Sequence, residues 1–299
     1  MLPNPKGSIH LFKFQGVNVY LHWSWFLILL YRINLSGGAY SSLVWSAWQC
    51  VVLFAIVTLH EFGHALACRS VGGRADQIVL WPLGGVAYVD PPQRPGATLW
   101  SIAAGPLVNV LLVPVFSICW LFASRANLDN SSPDLYLLIK NVWAINLGLL
   151  CFNMLPIYPL DGGQILRSLL WYWVGPARSL LVASTTGMVA VGVLLVFAIR
   201  TPWLVLIAVF ALVQCWGGLQ YARRMARIEA APRQAGLACP SCGKAPPVGE
   251  FWVCARCRRQ FDIFGNQGVC PGCGVNFNLV RCMECGQTHP IHSFVREQG

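Results

Sequence analysis

Long apolar runs separated by short polar breaks fill the first 221 residues of the chain. A helix needs about 20 predominantly apolar residues to cross the hydrocarbon core of a bilayer. Six candidate spans stand out on that measure: Val19–Ile33, Leu43–Cys68, Leu99–Ala123, Leu135–Leu155, Ser179–Ile199 and Trp203–Tyr221. The first is short and would cross with little tilt or thin the bilayer around it. Between the second and third lies a stretch of another kind, from Ala75 to Asp90. Two short β-prone runs there flank Pro82-Leu83-Gly84-Gly85, which reads as a hairpin or re-entrant loop at 76–90. Such backbone survives at membrane depth only where protein or water satisfies it, and a plain turn outside the membrane is the simpler alternative. The expected fold is an all-α polytopic membrane protein carrying this small β element.

The pattern changes after residue 221. Residues 222–238 continue the last helix briefly and then read as a linker broken by Pro232 and Gly236. Residues 239–299 have no long apolar run but hold eight of the thirteen cysteines. The expected organisation is a membrane domain over 1–221, a linker over 222–238 and a small β domain over 239–299.

Composition sharpens the membrane reading. The chain is 56% hydrophobic and only 11% charged, against about 25% charged in soluble proteins. Six spans put both termini on one face. Lys6, Lys13, Arg69, Arg74, Arg94, Arg167, Arg178, Arg223, Arg224, Arg227 and Arg233 fall on that face; Arg32, Arg125, Arg200 and Lys140 fall opposite. Lysine and arginine favour the cytoplasmic side, so both termini are expected there. The formal charge of +10 therefore reports topology more than nucleic-acid binding. No signal peptide is recognised at the start.

The second span carries chemistry where charge is expensive. His60-Glu61-Phe62-Gly63-His64 lies near its cytoplasmic end. Two histidines four apart share one helix face and can reach one metal ion, while the adjacent glutamate can take a proton from an attacking water. An acidic residue at a span centre costs roughly 2.5–3.5 kcal/mol, so a bland packing role explains it poorly. A catalytic zinc takes three protein ligands and leaves one position open. Asp161, in Asn153-Met154-Leu155-Pro156-Ile157-Tyr158-Pro159-Leu160-Asp161-Gly162-Gly163, is the candidate third ligand, at a similar depth on the fourth span's end. Pro156 and Pro159 cannot continue a regular helix and bend the chain around it. Asp161 can also cap the helix expected over Gln164–Val174.

These two motifs, in this order, resemble the site-2 protease family of intramembrane zinc metalloproteases. Ala104-Gly105-Pro106-Leu107-Val108-Asn109 resembles that family's small-residue segment, and the likeness covers about residues 8–220. The resemblance implies His60, His64 and Asp161 as zinc ligands and Glu61 as catalytic base. It also implies the substrate class, a transmembrane segment of another membrane protein. A helical peptide bond is shielded by its own turn, so such a substrate must unwind before cleavage. An exposed edge in 76–90, near Gly84 and Gly85, can pair with the unwound strand. Asn153 can hold that strand or an oxyanion, or else pack helices together. Asn109 reads first as a tie between helices. His22 reads equally as a water-path residue and as an interfacial histidine.

The tail holds four CxxC pairs: Cys239/Cys242, Cys254/Cys257, Cys270/Cys273 and Cys282/Cys285. Glycine follows Cys242, Cys273 and Cys285 where a zinc knuckle turns, so the tail reads as a double zinc ribbon with two structural zinc ions. Sequential pairing is expected over interleaved pairing. A cytoplasmic location disfavours disulfides, and each ribbon is so small that metal binding supplies its folding energy. Arg256, Arg258 and Arg259 near Phe251, Trp252 and Phe261 can face nucleic acid, but docking of protein or substrate is the favoured role.

The expected protein is thus a multi-pass intramembrane zinc endopeptidase of a prokaryotic cell membrane. It holds one catalytic and two structural zinc ions, with the lipid bilayer and a membrane-protein substrate as partners and no nucleic acid. The alternative is a catalytically inactive scaffold of the same fold that binds membrane helices.

Overall fold

A computed structural model describes residues 7–26, 40–81, 84–198 and 202–295. The chain divides into two compact units, Met1–Leu219 and Gln220–Gly299.

The first unit opens with a sheet. Strands β1 (Ser8–Phe14) and β2 (Val17–His22) form an antiparallel hairpin. Helix α1 (Leu43–Ser70) follows in the chain and leads to β3 (Arg74–Trp81) and β4 (Gly84–Asp90). The strand order is β1-β2-β3-β4, with β2 and β3 parallel and both flanking pairs antiparallel. The 76–90 segment is therefore a hairpin, and it belongs to a sheet of four strands. Val17 and Val19 of β2, with Ala75, Ile78 and Leu80 of β3, pack against Val57, Phe62, Ala65 and Cys68 of α1. That apolar contact fixes the sheet alongside the helix face that carries the two histidines. Pro82 and Leu83, between β3 and β4 in the sequence, lie outside the described residues.

The rest of the unit is helical: α2 (Pro95–Arg125), a single turn α3 (Leu128–Ser131), α4 (Pro133–Asn153), α5 (Asp161–Ala198) and α6 (Pro202–Ala230), which runs into the second unit. Pro95 and Pro133 occupy first turns, where a missing N–H costs nothing. Gly175 has φ 80° and ψ 172° and precedes Pro176, so α5 is two helices abutting at a kink. The sequence reading placed a helix over Gln164–Val174 and a span from Ser179, on either side of that break.

Among the described residues five helices are long and apolar enough to cross a membrane: α1, α2, α4, and most of α5 and α6. The expected first span, Val19–Ile33, is corrected at its start, because residues 19–22 belong to β2. Val17 and Val19 are buried and Asn18 and Tyr20 are half-buried, a two-residue alternation that suits a strand. Residues 27–33 of that expected span lie outside the described residues.

The second unit is small and stapled. Beyond α6 it has two short hairpins, β5–β6 (Trp252–Val253 and Gln260–Phe261) and β7–β8 (Leu279–Arg281 and Thr288–Pro290), then a 3-10 turn, Ile291–Phe294. Phe261, Ile263, Val280 and Phe294 form one core with Cys239, Cys254, Cys270 and Cys282. Both halves of the tail contribute to that core.

Candidate metal centres

Helix α1 turns His60, Glu61 and His64 inward, and all three are buried. Its neighbour α2 comes very close here: a Cβ on Gly63 would lie 2.6 Å from the Ala104 carbonyl oxygen. Asp161 arrives from elsewhere. The chain leaves α4 at Asn153, passes Pro156 and Pro159, and restarts as α5 at Asp161. Gly162 and Gly163 allow this turn, because a Cβ on either would sit about 2.5 Å from the backbone of Met154 or Ile157. The Gln164 side chain donates to the Pro159 carbonyl at 2.8 Å and holds the loop against the helix. Asp161 lies in the first turn of α5, where the helix dipole favours a carboxylate.

Three groups distant in sequence thereby converge. His60 Nε2 is 3.0 Å from Asp161 Oδ2, His64 Nε2 is 3.4 Å from Asp161 Oδ1, and the two Nε2 atoms are 3.1 Å apart. Tetrahedral zinc with bonds of about 2.0–2.1 Å sets its ligands about 3.3 Å apart, so this donor set fits the ion. His64 Nδ1 lies 2.9 Å from the Ser101 carbonyl oxygen, which can only accept. The proton therefore sits on Nδ1, and Nε2 offers its lone pair. His60 Nδ1 is 2.5 Å from Asn109 Oδ1. Gly105 leaves the necessary room, since a Cβ there would lie 2.3 Å from the His64 ring and 2.8 Å from His60 Nε2.

Glu61 points to the sheet. Its Oε2 accepts the Ala87 N–H at 2.8 Å, and a Cβ on Gly85 would lie 2.2 Å from its Cγ. A cavity of about 400 Å³ joins Glu61 and the three donors. Gly85, Ala87 and Val89 of β4 line it, as do Asn153, Phe210 and Gln214.

The structure brings Asn153 and Gly85 to this cavity, while Gly84 begins β4 opposite Trp81. His22 bonds Ser24 at the end of β2, and is not among the residues lining the cavity. Asn109 ties α2 to α4 through Asn146, as expected, and also reaches His60. Sequence reasoning missed Asn146, Phe210 and Gln214. Asn146 and Gln214 were visible as carboxamides inside apolar spans, a costly placement that asks for a reason.

The tail cysteines form two tetrads. Cys239, Cys242, Cys282 and Cys285 make one, and Cys254, Cys257, Cys270 and Cys273 the other. This corrects the expected sequential pairing: the first pair joins the fourth and encloses the second and third. The physical reason is closure of the tail's two ends. The Ala238 N–H donates to the Phe294 carbonyl at 2.7 Å, and Leu237 bridges Val295, so the chain returns to its own start.

Sulfur separations across the tetrads are 3.7 Å (Cys239–Cys285), 3.8 Å (Cys242–Cys282), 3.5 Å (Cys254–Cys273) and 3.6 Å (Cys257–Cys270). Zinc–sulfur bonds of about 2.3 Å imply about 3.8 Å between ligands, whereas a disulfide would need about 2.05 Å.

Each pair sits on the same knuckle. The N–H of Gly243, Arg258, Gly274 or Gly286 donates to the carbonyl of the pair's first cysteine at 2.9–3.0 Å. All four residues have φ between 62° and 72°, a conformation that suits glycine and that Arg258 adopts without it. Knuckle N–H groups also favour thiolates. Those of Cys257 and Arg256 hold the Cys254 thiol down to about 6. At Cys239, burial raises the pKa, but the N–H groups of Cys242 and Ser241, with the thiols of Cys282 and Cys242, outweigh it and hold it at about 7.

Comparison with known proteins agrees with this geometry. The profile of peptidase family M50 matches residues 48–134 and 134–199. A zinc metalloprotease from Methanocaldococcus jannaschii is 34% identical over 222 residues, covering 74% of this chain and 62% of that protein. Stage IV sporulation protein FB of Bacillus subtilis is 30% identical over 156 residues, covering 52% of this chain and 49% of that protein. The match thus spans less than two thirds of either relative's length. The solved structure of a site-2 protease from Methanocaldococcus jannaschii superposes with a TM-score of 0.54 at 31% identity, covering 71% of this chain and 95% of that one.

Proposed function

The chain belongs to peptidase family M50, and from that premise we propose that it is an intramembrane zinc endopeptidase cutting transmembrane segments of other membrane proteins. The observation that carries the reading is the cavity shared by Glu61, the His60–His64–Asp161 donors and the β4 residues Gly85, Ala87 and Val89. His60, His64 and Asp161 would hold the zinc, which supplies Lewis acidity for the scissile carbonyl and for water. Glu61 is the base. It takes a proton from the water whose oxygen attacks the scissile carbonyl carbon, then gives that proton to the leaving nitrogen as the C–N bond breaks.

The walls of the cavity suit an unwound peptide. Among the described residues strand β4 is the end strand of its sheet, and the Ala87 N–H already serves an acceptor outside the sheet, Glu61. A substrate segment can add to that edge as a further strand. Asn153 and Gln214 line the same cavity and can pair with the peptide groups that unwinding frees. The lysine and arginine bias argues that the site opens toward the cytoplasm, where both termini would lie. The two cysteine tetrads would each hold a structural zinc, and the domain they fold would serve substrate docking or regulation.

An inactive helix-binding scaffold would have no need of a carboxylate beside the donor set. The deciding experiment compares the membrane proteins of cells carrying the wild type or Glu61→Gln. Substrates should persist uncut in the variant, with zinc content unchanged. Identical membrane proteomes, together with full turnover of a purified reporter helix by Glu61→Gln, would remove the enzymatic reading.

A further inference from the structure

We propose that Asn109 and Asn146 form a positioning relay that fixes the tautomer of His60 and so presents its Nε2 lone pair to the metal. The inference rests on the protease reading for the identity of that metal, but it is tested on metal retention. Both asparagines are 0% exposed, one on α2 and one on α4.

The direction of every bond in the relay follows from one backbone carbonyl. Asn146 Nδ2 lies 3.0 Å from the Asn109 carbonyl oxygen. That oxygen can only accept, so Asn146 must offer it the NH₂ end of its amide. The Asn146 Oδ1 is then the end that faces Asn109, at 2.8 Å. An oxygen there requires Asn109 to answer with its own NH₂. The Asn109 Oδ1 is left facing His60 Nδ1 at 2.5 Å. An acceptor at that position places the imidazole proton on Nδ1. A neutral ring carries one proton, so Nε2 is bare.

Without Asn146, no other side-chain or backbone acceptor among the described residues holds the NH₂ end of the Asn109 amide away from His60. Turned over, its NH₂ would meet Nδ1, draw that nitrogen's lone pair, and move the ring proton to Nε2. A proton on Nε2 excludes the metal. His64 is less exposed to this failure, because its Nδ1 faces the Ser101 carbonyl directly. The two histidines are held alike at Nδ1, one by the backbone and one through two side chains. The relay therefore couples the α2–α4 contact to the quality of the metal site.

The test separates orientation from simple helix tying. The full chain is purified with zinc, and zinc retained is measured against graded concentrations of a chelator. The cysteine tetrads act as an internal reference, unaffected by the variants. Asn146→Leu should release the membrane-domain zinc at roughly 10–100-fold lower chelator activity than the wild type, the usual effect of losing an outer partner of a ligand histidine.

Two double variants sharpen the comparison, since each lacks the Asn109–Asn146 side-chain bond while keeping the Trp143–Ser117 and Trp120–Tyr136 bonds between α2 and α4. Asn109→Asp/Asn146→Leu places a carboxylate at Nδ1 that accepts in either orientation, and should retain zinc like the wild type. Asn109→Leu/Asn146→Leu has no acceptor and should release it as readily as the single variant or more so. Equal retention by the two doubles would overturn the relay, and so would wild-type retention in Asn146→Leu. A wild type that holds only the two tetrad ions would instead remove the catalytic zinc itself, and with it the protease reading.

Discussion

The Ala87 N–H of strand β4 and the Oε2 of Glu61 on helix α1 are 2.8 Å apart, so the proposed base rests on the sheet edge where substrate is expected to add. One hydrogen bond thereby links the proposed base to the proposed substrate edge. Ala87→Pro deletes that N–H while keeping a small apolar side chain, and proline is tolerated on edge strands. The expected outcome is a roughly 10–100-fold lower kcat/KM with zinc content unchanged, matching a hydrogen bond to a charged group of about 1.5–3 kcal/mol. Steady-state cleavage of a reporter helix, with metal analysis of the same sample, checks it. Wild-type rates would detach the base from the edge.

Gly105 gives a sharper metal prediction. A methyl group there would stand 2.3 Å from the His64 ring and 2.8 Å from His60 Nε2, within the space that the donors share. Gly105→Ala should lose one zinc per chain and retain the ions of the tail. Metal analysis before and after removal of the tail distinguishes the sites. A variant that keeps the full complement would place the ion elsewhere.

Gln214 lies on the last span and lines the cavity. Gln214→Leu keeps the bulk and removes both polar ends. Loss of one neutral hydrogen bond of about 0.5–1.5 kcal/mol predicts a fall of roughly 2–10-fold in kcat/KM. The fall should be larger for helices that are hard to unwind than for an already unfolded peptide. An equal effect on both substrates would reassign Gln214 to packing.

Nested pairing in the tail has a direct chemical readout. Cys282→Ser/Cys285→Ser should leave Cys239 and Cys242 open to alkylation, with Cys254, Cys257, Cys270 and Cys273 protected by their own zinc. Sequential pairing predicts that Cys270 and Cys273 react instead. Mass spectrometry of the alkylated tail decides between them.

The parts legible in the sequence were those with a local signature. His60 and His64 repeat at helical spacing, and Asp161 follows two prolines and precedes two glycines, so residue order alone marked all three. The β1–β2 hairpin was not legible. Its alternation from Val17 to His22 runs into the apolar residues Trp25 to Leu30, and a short strand cannot be separated from a longer hydrophobic run by composition. The nested tetrads were hidden for another reason: four CxxC pairs look alike whichever partner each takes, and the choice is made by Ala238 meeting Phe294. Asn109 carried half its meaning in the sequence, since an amide in an apolar span announces a partner but does not name His60.

The enclosure of one cysteine tetrad by the other also sets an order in time. A ribosome delivers Cys254 to Cys273 before it delivers Cys282 and Cys285, so the inner four can gather their ion while the chain is still growing. Cys239 and Cys242 appear earlier than any of them, yet their partners appear last. The first pair must therefore wait as free thiols through the synthesis of everything it will surround. A chain that stops short of Cys282 would carry all four inner donors but only half of the outer set.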